Sequence, residues 1–166
     1  TPKKRRPPPP PNTPAHPPAV TECRLTGFYR ACEALDLEIP DEYMEACEYH
    51  EPVSCHEATN RLLALQPRPT CILFPDDYAY IGGINAIYEH GLRVPEDISV
   101  AAYDGIHMAR MVSPKLTTWR QNCAALGKTA ASKLIEKIEH PRTTPPEHIV
   151  IEGNLLEGET VADLTE

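Results

Sequence analysis

The amino-acid sequence predicts an α/β domain with a mostly parallel sheet and helices on both faces of that sheet. The first observation is the segment TCILF at 70–74, a continuous apolar run typical of strands buried on both faces. The second is ISVAA at 98–102, which is small, apolar and free of charge. Segments with helical apolar spacing alternate with such runs, and this alternation predicts parallel strands joined by helices.

The individual elements follow from apolar spacing and from start and stop signals. Phe28 and Cys32 share one face of a first helix. Ser54 and Glu57 have the spacing of a capping box at the start of a second helix, and Gly91 is placed to end a third. The predicted helices are 22–36, 55–66, 78–90 and 124–138, and the predicted strands are 43–48, 70–74, 98–102, 116–120 and 148–151.

Length and charge restrict the class of protein. The 166 residues predict one domain, or one and a fraction, and the 41% hydrophobic content suffices for a modest core. The chain carries 24 acidic and 16 basic side chains, and four of the basic ones are Lys3, Lys4, Arg5 and Arg6. The remainder is therefore strongly acidic and repels phosphate backbones, which argues against nucleic-acid binding by this part of the chain.

The N-terminal residues 1–21 differ in composition from the rest. Residues 1–18 alone hold 9 of the 19 prolines, and consecutive prolines favour polyproline II over helix or sheet. We expect a disordered linker or tail, with a nuclear-type basic signal or an SH3-like ligand as alternatives. No apolar segment follows the basic residues as in a signal peptide, and no run of 18 apolar residues predicts a membrane span.

The six cysteines include no CxxC pair, so free thiols in a reducing compartment are expected. One cluster, formed by Cys47, His50, Cys55 and His56, contains the residue types that bind zinc. Its spacing matches no common zinc module, and a helix starting near Cys55 would turn Cys55 and His56 away from Cys47. We therefore predict no metal site and no other cofactor.

Carboxylates follow two of the predicted strands. Asp76 and Asp77 come after the strand at 70–74, and Asp104 comes after the strand at 98–102. Ligands of open α/β sheets bind outside the carboxyl ends of the strands, where a carboxylate can accept hydrogen bonds from ligand hydroxyl or amino groups. The alternatives are a helix N-cap for Asp77 and a turn residue for Asp104.

The common enzyme motifs are absent from the sequence. It contains no GxSxG, Walker or GxGxxG motif and no Ser-His-Asp order, and the two glycines of YIGGIN fall inside a predicted helix. Adjacent carboxylates such as Asp76 and Asp77 rarely face one substrate. We therefore predict a binding protein and not an enzyme.

Several segments together resemble the effector-binding domain of the lactose-repressor family of bacterial transcription regulators. The VPEDISV and LTT elements are highly specific in combination, and the likeness runs in order from about residue 22 to residue 161. The segments are RLTGF at 24–28, RPTCILFPDDYAYIGGINAIYEHGLRVPEDISVAAYDG at 68–105, SPKLTTWRQN at 113–122, LGKTAASKLIEKI at 126–138 and EGETV at 157–161.

The resemblance implies a type I periplasmic-binding-protein-like fold that is incomplete and consists mainly of the C-terminal subdomain. It also implies a cytoplasmic sensor of a sugar or a similar polar metabolite, in which a separate helix-turn-helix would bind operator DNA. The expected effector-binding domain is 22–161, with 121–146 crossing to the N-terminal subdomain and a tail at 162–166. Because one wall alone buries little ligand surface, we expect weak effector binding by these residues. A solute-binding protein of a transport system has the same fold and is the alternative.

The resemblance also implies effector-binding residues by position. Arg24 and Asp104 match the family's effector-contacting arginine and aspartate, and a guanidinium with a carboxylate can hold adjacent hydroxyls. Asp76 occupies a ligand-facing turn, His50 falls near a position where an aromatic ring stacks on the effector, and Gln121 lies at the crossover. Tyr103, the aromatic residue before Asp104, is added to them. The expected effector-binding residues are therefore Arg24, His50, Asp76, Tyr103, Asp104 and Gln121.

A symmetric homodimer is expected through the predicted helix at 78–90. This helix carries more than the apolar stripe of about 100° that packing on one sheet requires. Met108 and Met111 follow the Asp104 tip, and methionines suit adaptable contact surfaces. Proteins of the lactose-repressor family form dimers through this region. Alternatively, a neighbouring helix or the other subdomain could cover the additional apolar surface of this helix. The expected interface residues are Ile81, Ile84, Tyr88, Met108 and Met111, with Ile81, Ile84 and Met111 near the axis.

Overall fold

The computed structural model describes residues 19–164. Most of the predicted proline-rich tail, residues 1–18, lies outside the described residues, and so do 165 and 166 of the predicted C-terminal tail. The helices are α1 (Ala19–Ala34), α2 (Pro52–Leu63), α3 (Asp77–Glu89) and α4 (Cys123–Glu139), with short 3-10 helices at Asp41–Tyr43 and Met108–Arg110. The strands are β1 (Cys71–Leu73), β2 (Ser99–Asp104), β3 (Thr117–Arg120) and β4 (Asn154–Leu156). None of these helices is long and apolar enough to span a bilayer.

The sheet is mostly parallel, which confirms the predicted fold class. Its order is β1-β2-β3-β4, with β1, β2 and β3 parallel and β4 antiparallel to β3. Leu73 at the end of β1 pairs with Ala101, whereas Asp104 at the end of β2 pairs with Arg120. Strand β2 therefore extends past the end of β1, and Asp104 stands at the carboxyl edge of the sheet.

The hydrophobic core lies between one face of the sheet and the helices α2 and α3. Ile72 and Val100 point to this face and pack with buried residues of both helices. On the other face, Leu73 and Trp119 remain 54% and 39% exposed. The predicted burial of the strand at 70–74 on both faces is therefore wrong, because its second face stays accessible over the described residues.

Two adjacent glycines allow α3 to approach its neighbours closely. A Cβ atom at Gly82 would overlap the carbonyl oxygen of Pro52 and lie 2.7 Å from its carbonyl carbon. A Cβ atom at Gly83 would overlap the ring of Phe74. The glycines that the sequence places inside a helix thus mark the contacts of α3 with the start of α2 and with the residue after β1.

The start of α2 differs from the predicted one, whereas the end of α3 is as predicted. Helix α2 begins one turn earlier than expected because Glu51 is its N-cap and accepts a hydrogen bond from the backbone N–H of Ser54 at 2.6 Å. The predicted capping box of Ser54 and Glu57 is therefore wrong. Gly91, with φ of 72°, ends α3 as predicted, because a left-handed residue after a helix favours glycine.

Two predicted strands do not form where the sequence places them. Residues 44–48 form no ladder with any described strand, although Met44 has an extended backbone. The segment 148–151 is also irregular, and β4 forms at 154–156 instead. A Cβ at Gly153 would overlap the carbonyl oxygen of Arg120, so the chain passes very close to the end of β3 at this glycine, just before β4 begins.

The helix face expected to form a dimer axis is partly occupied within the monomer. Ile84 is only 8% exposed and belongs to the hydrophobic core, and Ile81 packs against that core. Placing Ile84 at an interface is therefore wrong, because α2 and the sheet already bury this stripe of α3. Tyr88, Met108 and Met111 remain exposed.

Candidate functional site

An open cleft of about 340 Å³ lies at the carboxyl edge of the sheet. Helix α1, the turn before α2, the end of β2 and the residue after β3 border it. Its lining residues are Val20, Arg24, Tyr49, His50, Asp104 and Gln121. Four of the six residues predicted for effector binding, Arg24, His50, Asp104 and Gln121, therefore line one cleft.

An ion pair lies at the centre of the cleft. Nη2 of Arg24 donates to Oδ1 of Asp104 at 2.8 Å, and Nε2 of Gln121 donates to the same oxygen at 2.6 Å. Nη1 of Arg24 donates to the carbonyl oxygen of Pro75. The side chains of Arg24 and Asp104 are 22% and 15% exposed, so they are largely desolvated but still accessible to a ligand.

Aromatic rings hold the Arg24 guanidinium in place. Its central carbon lies 4.2 Å from the ring centroid of Tyr103 and 5.5 Å from that of Tyr49. The hydroxyl of Thr21 donates to the Tyr49 hydroxyl at 3.3 Å, which links the first turn of α1 to this ring. Because the guanidinium is fixed before a ligand arrives, less side-chain entropy is lost on binding. Tyr103 packs on Arg24 and is not among the residues that line the cleft.

Asp104 occupies a strained position at the tip of β2. Its φ of 118° is a conformation that L-residues other than glycine rarely adopt, and Gly105 follows with φ of 69°. A Cβ at Gly105 would lie within 2.6 Å of the Cα of Arg120, so the turn passes very close to β3. Such strain persists only where surrounding contacts impose it, and it is concentrated at functional sites.

Buried Asp77 supplies contacts that hold this tip. Its Oδ2 accepts a hydrogen bond from the backbone N–H of Ile106 at 2.7 Å, and its Oδ1 accepts one from the hydroxyl of Thr118 at 2.7 Å. Ile106 follows the strained turn, and Thr118 lies on the neighbouring strand β3. Asp77 therefore connects the start of α3 to both sides of the Asp104 tip.

Asp76 is fully buried and does not reach the cleft surface. Its Oδ1 accepts from the backbone N–H of Ala79 at 2.8 Å, which makes Asp76 the N-cap of α3, the role weighed for Asp77. Its Oδ2 accepts from the backbone N–H of His50 at 3.2 Å. This bond supports the His50 backbone at its φ of 58°. The ring of His50 packs edge-on against Tyr78, with 5.2 Å between the ring centroids.

The Asp77→Asn variant should alter the pH dependence of stability. Burial raises the pKa of Asp77 above its ordinary value of 3.8, although the hydrogen bonds from Thr118 and Ile106 oppose the increase. A raised folded-state pKa contributes stability that is fully present below the unfolded-state pKa and is lost as pH rises through the folded-state pKa. The difference in unfolding free energy between wild type and Asp77→Asn should therefore shrink from pH 3.8 towards neutrality, as measured by urea unfolding.

The variant Asp97→Asn provides a control of opposite sign. Hydrogen bonds from Arg93 lower the pKa of Asp97 to about 2, so its stabilising contribution is present above 3.8 and is lost as pH falls towards 2. The stability difference between wild type and Asp97→Asn should therefore widen as pH rises through this acidic range. Parallel pH profiles for the two variants would rule out the effect of burial on Asp77.

Three residues of the site, Val20, Tyr49 and Asp77, were not assigned to it from the sequence. Tyr49 lines the cleft and is next to His50, so its aromatic character was an available signal. Asp77 holds the strand tip, but the sequence does not show which of the adjacent residues Asp76 and Asp77 caps α3 and which makes the buried contacts. The two roles can be distinguished only when the residue at which α3 begins is known.

The arrangement is suited to binding a polar molecule. A cation, an anion and an amide converge beside aromatic rings, and these groups can donate to and accept from neighbouring ligand hydroxyl or amino groups. Over residues 19–164, no group of three or more histidine, cysteine or acidic side chains is arranged to hold a metal ion.

Comparison with known proteins gives a consistent family assignment. The model of the periplasmic binding protein-like domain family matches residues 12–161. The chain is 41% identical over 117 residues to the HTH-type transcriptional repressor PurR of Mannheimia succiniciproducens, an alignment that covers 70% of this chain and 35% of that protein. The chain thus spans about a third of the length of this curated relative.

Solved structures show the same similarity in three dimensions. A transcriptional regulator CelR–cellobiose complex superposes with a TM-score of 0.80 at 26% identity, covering 89% of this chain and 44% of that chain. A LacI family transcriptional regulator from Enterococcus faecium with bound ribose superposes with a TM-score of 0.82 at 25% identity. That superposition covers 92% of this chain and 56% of the other.

Proposed function

Because this chain belongs to the periplasmic binding protein-like domain family, in the group of lactose-repressor-type regulators, we propose that it senses an effector for a bacterial transcription regulator. The effector is a small polar metabolite that binds at the cleft. Effector binding controls DNA binding by a separate helix-turn-helix segment of a cytoplasmic protein. The strongly acidic charge of the residues after position 20 supports the assignment of DNA binding to another segment.

One observation carries this proposal: the convergence of Arg24, Asp104 and Gln121 at the strained end of β2. Three polar groups from α1, β2 and the residue after β3 meet at one carboxylate oxygen. An arrangement assembled from separate elements at the carboxyl edge of a parallel sheet is typical of a binding site. The strain at Asp104 supports a binding role over a purely structural one.

Sugars are the proposed effector class. The solved relatives contain cellobiose and ribose, whose neighbouring hydroxyls suit a guanidinium and a carboxylate held 2.8 Å apart. The rings of Tyr49 and His50 can pack against the apolar face of a pyranose. The same rings favour a planar nitrogen heterocycle as a second ligand class, because such a molecule stacks on aromatic faces.

An NMR titration of the isotope-labelled chain tests the proposal, because it detects binding even at millimolar affinity. The probes are ribose, cellobiose and a planar heterocycle such as adenine. We expect at least one of them to produce saturable shift changes confined to signals of the cleft residues, above all the rings of Tyr49 and His50. The absence of cleft shifts with all three compounds would contradict the proposed function.

A transport solute-binding protein remains the alternative with this fold. The names of the matched relatives favour regulation, since they describe transcriptional regulators. The coding sequence upstream of residue 1 separates the two. A helix-turn-helix there supports the regulator, and an export signal supports transport.

We further propose that the protein forms a symmetric homodimer through one exposed apolar surface, here called the dimer surface. It consists of Tyr88, Met108, Met111 and Val112. The hydroxyl of Tyr88 donates to the carbonyl oxygen of Ser113 at 3.5 Å, which joins the end of α3 to the methionine segment. An exposed apolar patch of this composition suits association with a second copy.

The Met111→Asp variant should convert the dimer to a monomer, because it places a charge in an apolar interface. Met111 is 74% exposed in the monomer, so the substitution should leave the fold intact. Leu134→Asp, on the exposed face of α4, is the matched control and should stay dimeric. Sedimentation equilibrium measures the oligomeric state of the wild type and of both variants. A monomeric wild type would refute this dimer surface, and so would a dimer that Leu134→Asp dissociates but Met111→Asp does not.

A further inference from the structure

The imidazole of His50 lines the cleft and has a buried carboxylate next to it. The side chain of His50 is 62% exposed, whereas that of Asp76 is completely buried. Nδ1 of His50 lies 3.6 Å from Oδ2 of Asp76, within the range of an ion pair, and this oxygen also accepts the backbone N–H of His50 at 3.2 Å. The other ring nitrogen, Nε2, has no hydrogen-bond partner within residues 19–164. It is therefore the nitrogen that a ligand can use.

The Asp76 carboxylate favours one tautomer of neutral His50. Solvent screens a buried charge poorly, so the negative oxygen favours a proton on the nearer nitrogen, Nδ1. Nε2 then carries a lone pair and accepts hydrogen bonds. His56 has the opposite arrangement, because its Nε2 donates to Oε2 of Glu89 at 2.8 Å and its Nδ1 accepts from Nδ2 of Asn60 at 3.2 Å. The chain thus contains an internal reference for the other tautomer.

Protonation changes what His50 offers to a ligand. Both nitrogens of an imidazolium donate, so Nε2 changes from an acceptor to a donor and the ring becomes positive. Of the groups around this ring, only an imidazole ordinarily changes charge between about pH 5 and 8. These groups are Tyr49 and Glu51 in its own turn, Asp76 and Tyr78 at the start of α3, and Arg24 and Asp104 in the same cleft.

We propose that His50 gives the cleft a pH-dependent ligand preference, an inference that rests on the proposed effector role of this site. Neutral His50 accepts a hydrogen bond from a ligand hydroxyl or N–H group through Nε2. Protonated His50 donates through the same nitrogen to an anionic ligand group such as a sugar carboxylate, in the cleft that Arg24 also lines. Asp76 is a positioning residue, because it is buried and acts through His50.

Nitrogen NMR of the isotope-labelled chain tests the tautomer without any effector. At about pH 8, long-range proton–nitrogen spectra should show the ring proton of His50 on Nδ1 and that of His56 on Nε2. Asp76→Asn should remove the preference of His50 and leave His56 unchanged, while asparagine keeps the helix cap. If Asp76→Asn does not fold, the two histidines of the wild type decide. A wild-type His50 with its proton on Nε2 would overturn the proposal.

Glucuronate and glucose are matched probes of the ligand preference, because they share a ring and differ in one carboxylate. This carboxylate is ionised at both pH values of the experiment. In NMR titrations of the whole chain, the affinity for glucuronate should rise roughly threefold from about pH 8 to about pH 5.5. The affinity for glucose should change less, since glucose offers no anion to the imidazolium.

His50→Asn removes the imidazole without straining the backbone, because asparagine tolerates the φ of 58° at this position. It should abolish the pH dependence, whereas His148→Asn, at an exposed position outside the cleft, should retain it. The proposal fails if glucuronate does not bind at the lower pH, binds equally at both, or keeps its pH dependence in His50→Asn. If ribose, cellobiose or adenine still binds at the cleft in that case, the proposed function stands and only the role of His50 is refuted.

Discussion

The Gly82→Ala variant is expected to be severely destabilised, with a loss of roughly 3 kcal/mol or more in the free energy of unfolding. The added methyl group would overlap the carbonyl oxygen of Pro52, and its carbonyl carbon and Cα would lie 2.7 Å and 2.9 Å away. These are backbone atoms in the first turn of α2, so no rotation of a side chain can relieve the overlap. The whole of α2 would have to move away from α3, and the core that both helices share would open.

Gly127→Ala is the matched control for this prediction. Gly127 also lies inside a helix, but a Cβ there would meet no neighbouring atom within 4 Å. Alanine should therefore stabilise the chain by about 0.5–1 kcal/mol through its higher helix propensity. Urea unfolding of the two variants compares them directly. Equal midpoints would show that α2 and α3 do not pack as closely as described.

The Asp104→Asn variant is expected to lose at least tenfold in affinity for the effector. Asparagine keeps the size of the side chain but removes the charge that Arg24 and Gln121 both contact through Oδ1. A hydrogen bond to a charged group contributes about 1.5–3 kcal/mol, which corresponds to roughly 10- to 150-fold in binding. Arg24 would also lose the partner that fixes its guanidinium, so the cleft would be less well organised before binding.

The control for charge removal is Asp97→Asn. Asp97 also pairs with an arginine, Arg93, at 2.9 Å, but this pair is exposed and lies before β2, at the opposite end of that strand from Asp104. Its removal should leave ligand affinity unchanged. Equal losses in Asp97→Asn and Asp104→Asn would mean that the overall charge of the chain, and not the contact at Asp104, governs binding.

The order of helices and parallel strands was predictable because it depends on local patterns. The runs at 70–74 and 98–102 are apolar enough to mark β1 and β2, and Gly91 ends α3 as expected. The position of β4 was not predictable from propensity, since 148–151 is richer in β-branched residues than Asn154–Leu156. Strand β4 follows the close approach of Gly153 to Arg120, and this contact is between residues distant in sequence.

The candidate site was predictable in part for the same reason. The likeness to a known family placed Arg24, His50, Asp104 and Gln121, and the structure brings these residues to one cleft. The separate roles of Asp76 and Asp77 depend on which residue caps α3. Likewise, the burial of Ile84 depends on how closely α2 approaches at Gly82, which apolar spacing within one helix does not reveal.

The most direct test of the effector site is an NMR titration of the wild type and Asp104→Asn with the same two sugars and the heterocycle. The account predicts saturable shift changes at Tyr49 and His50 in the wild type with at least one compound. It also predicts that Asp104→Asn needs at least tenfold more ligand for the same change, while Asp97→Asn behaves as the wild type. Identical titration curves for the wild type and Asp104→Asn would contradict the assignment of the cleft as the effector site.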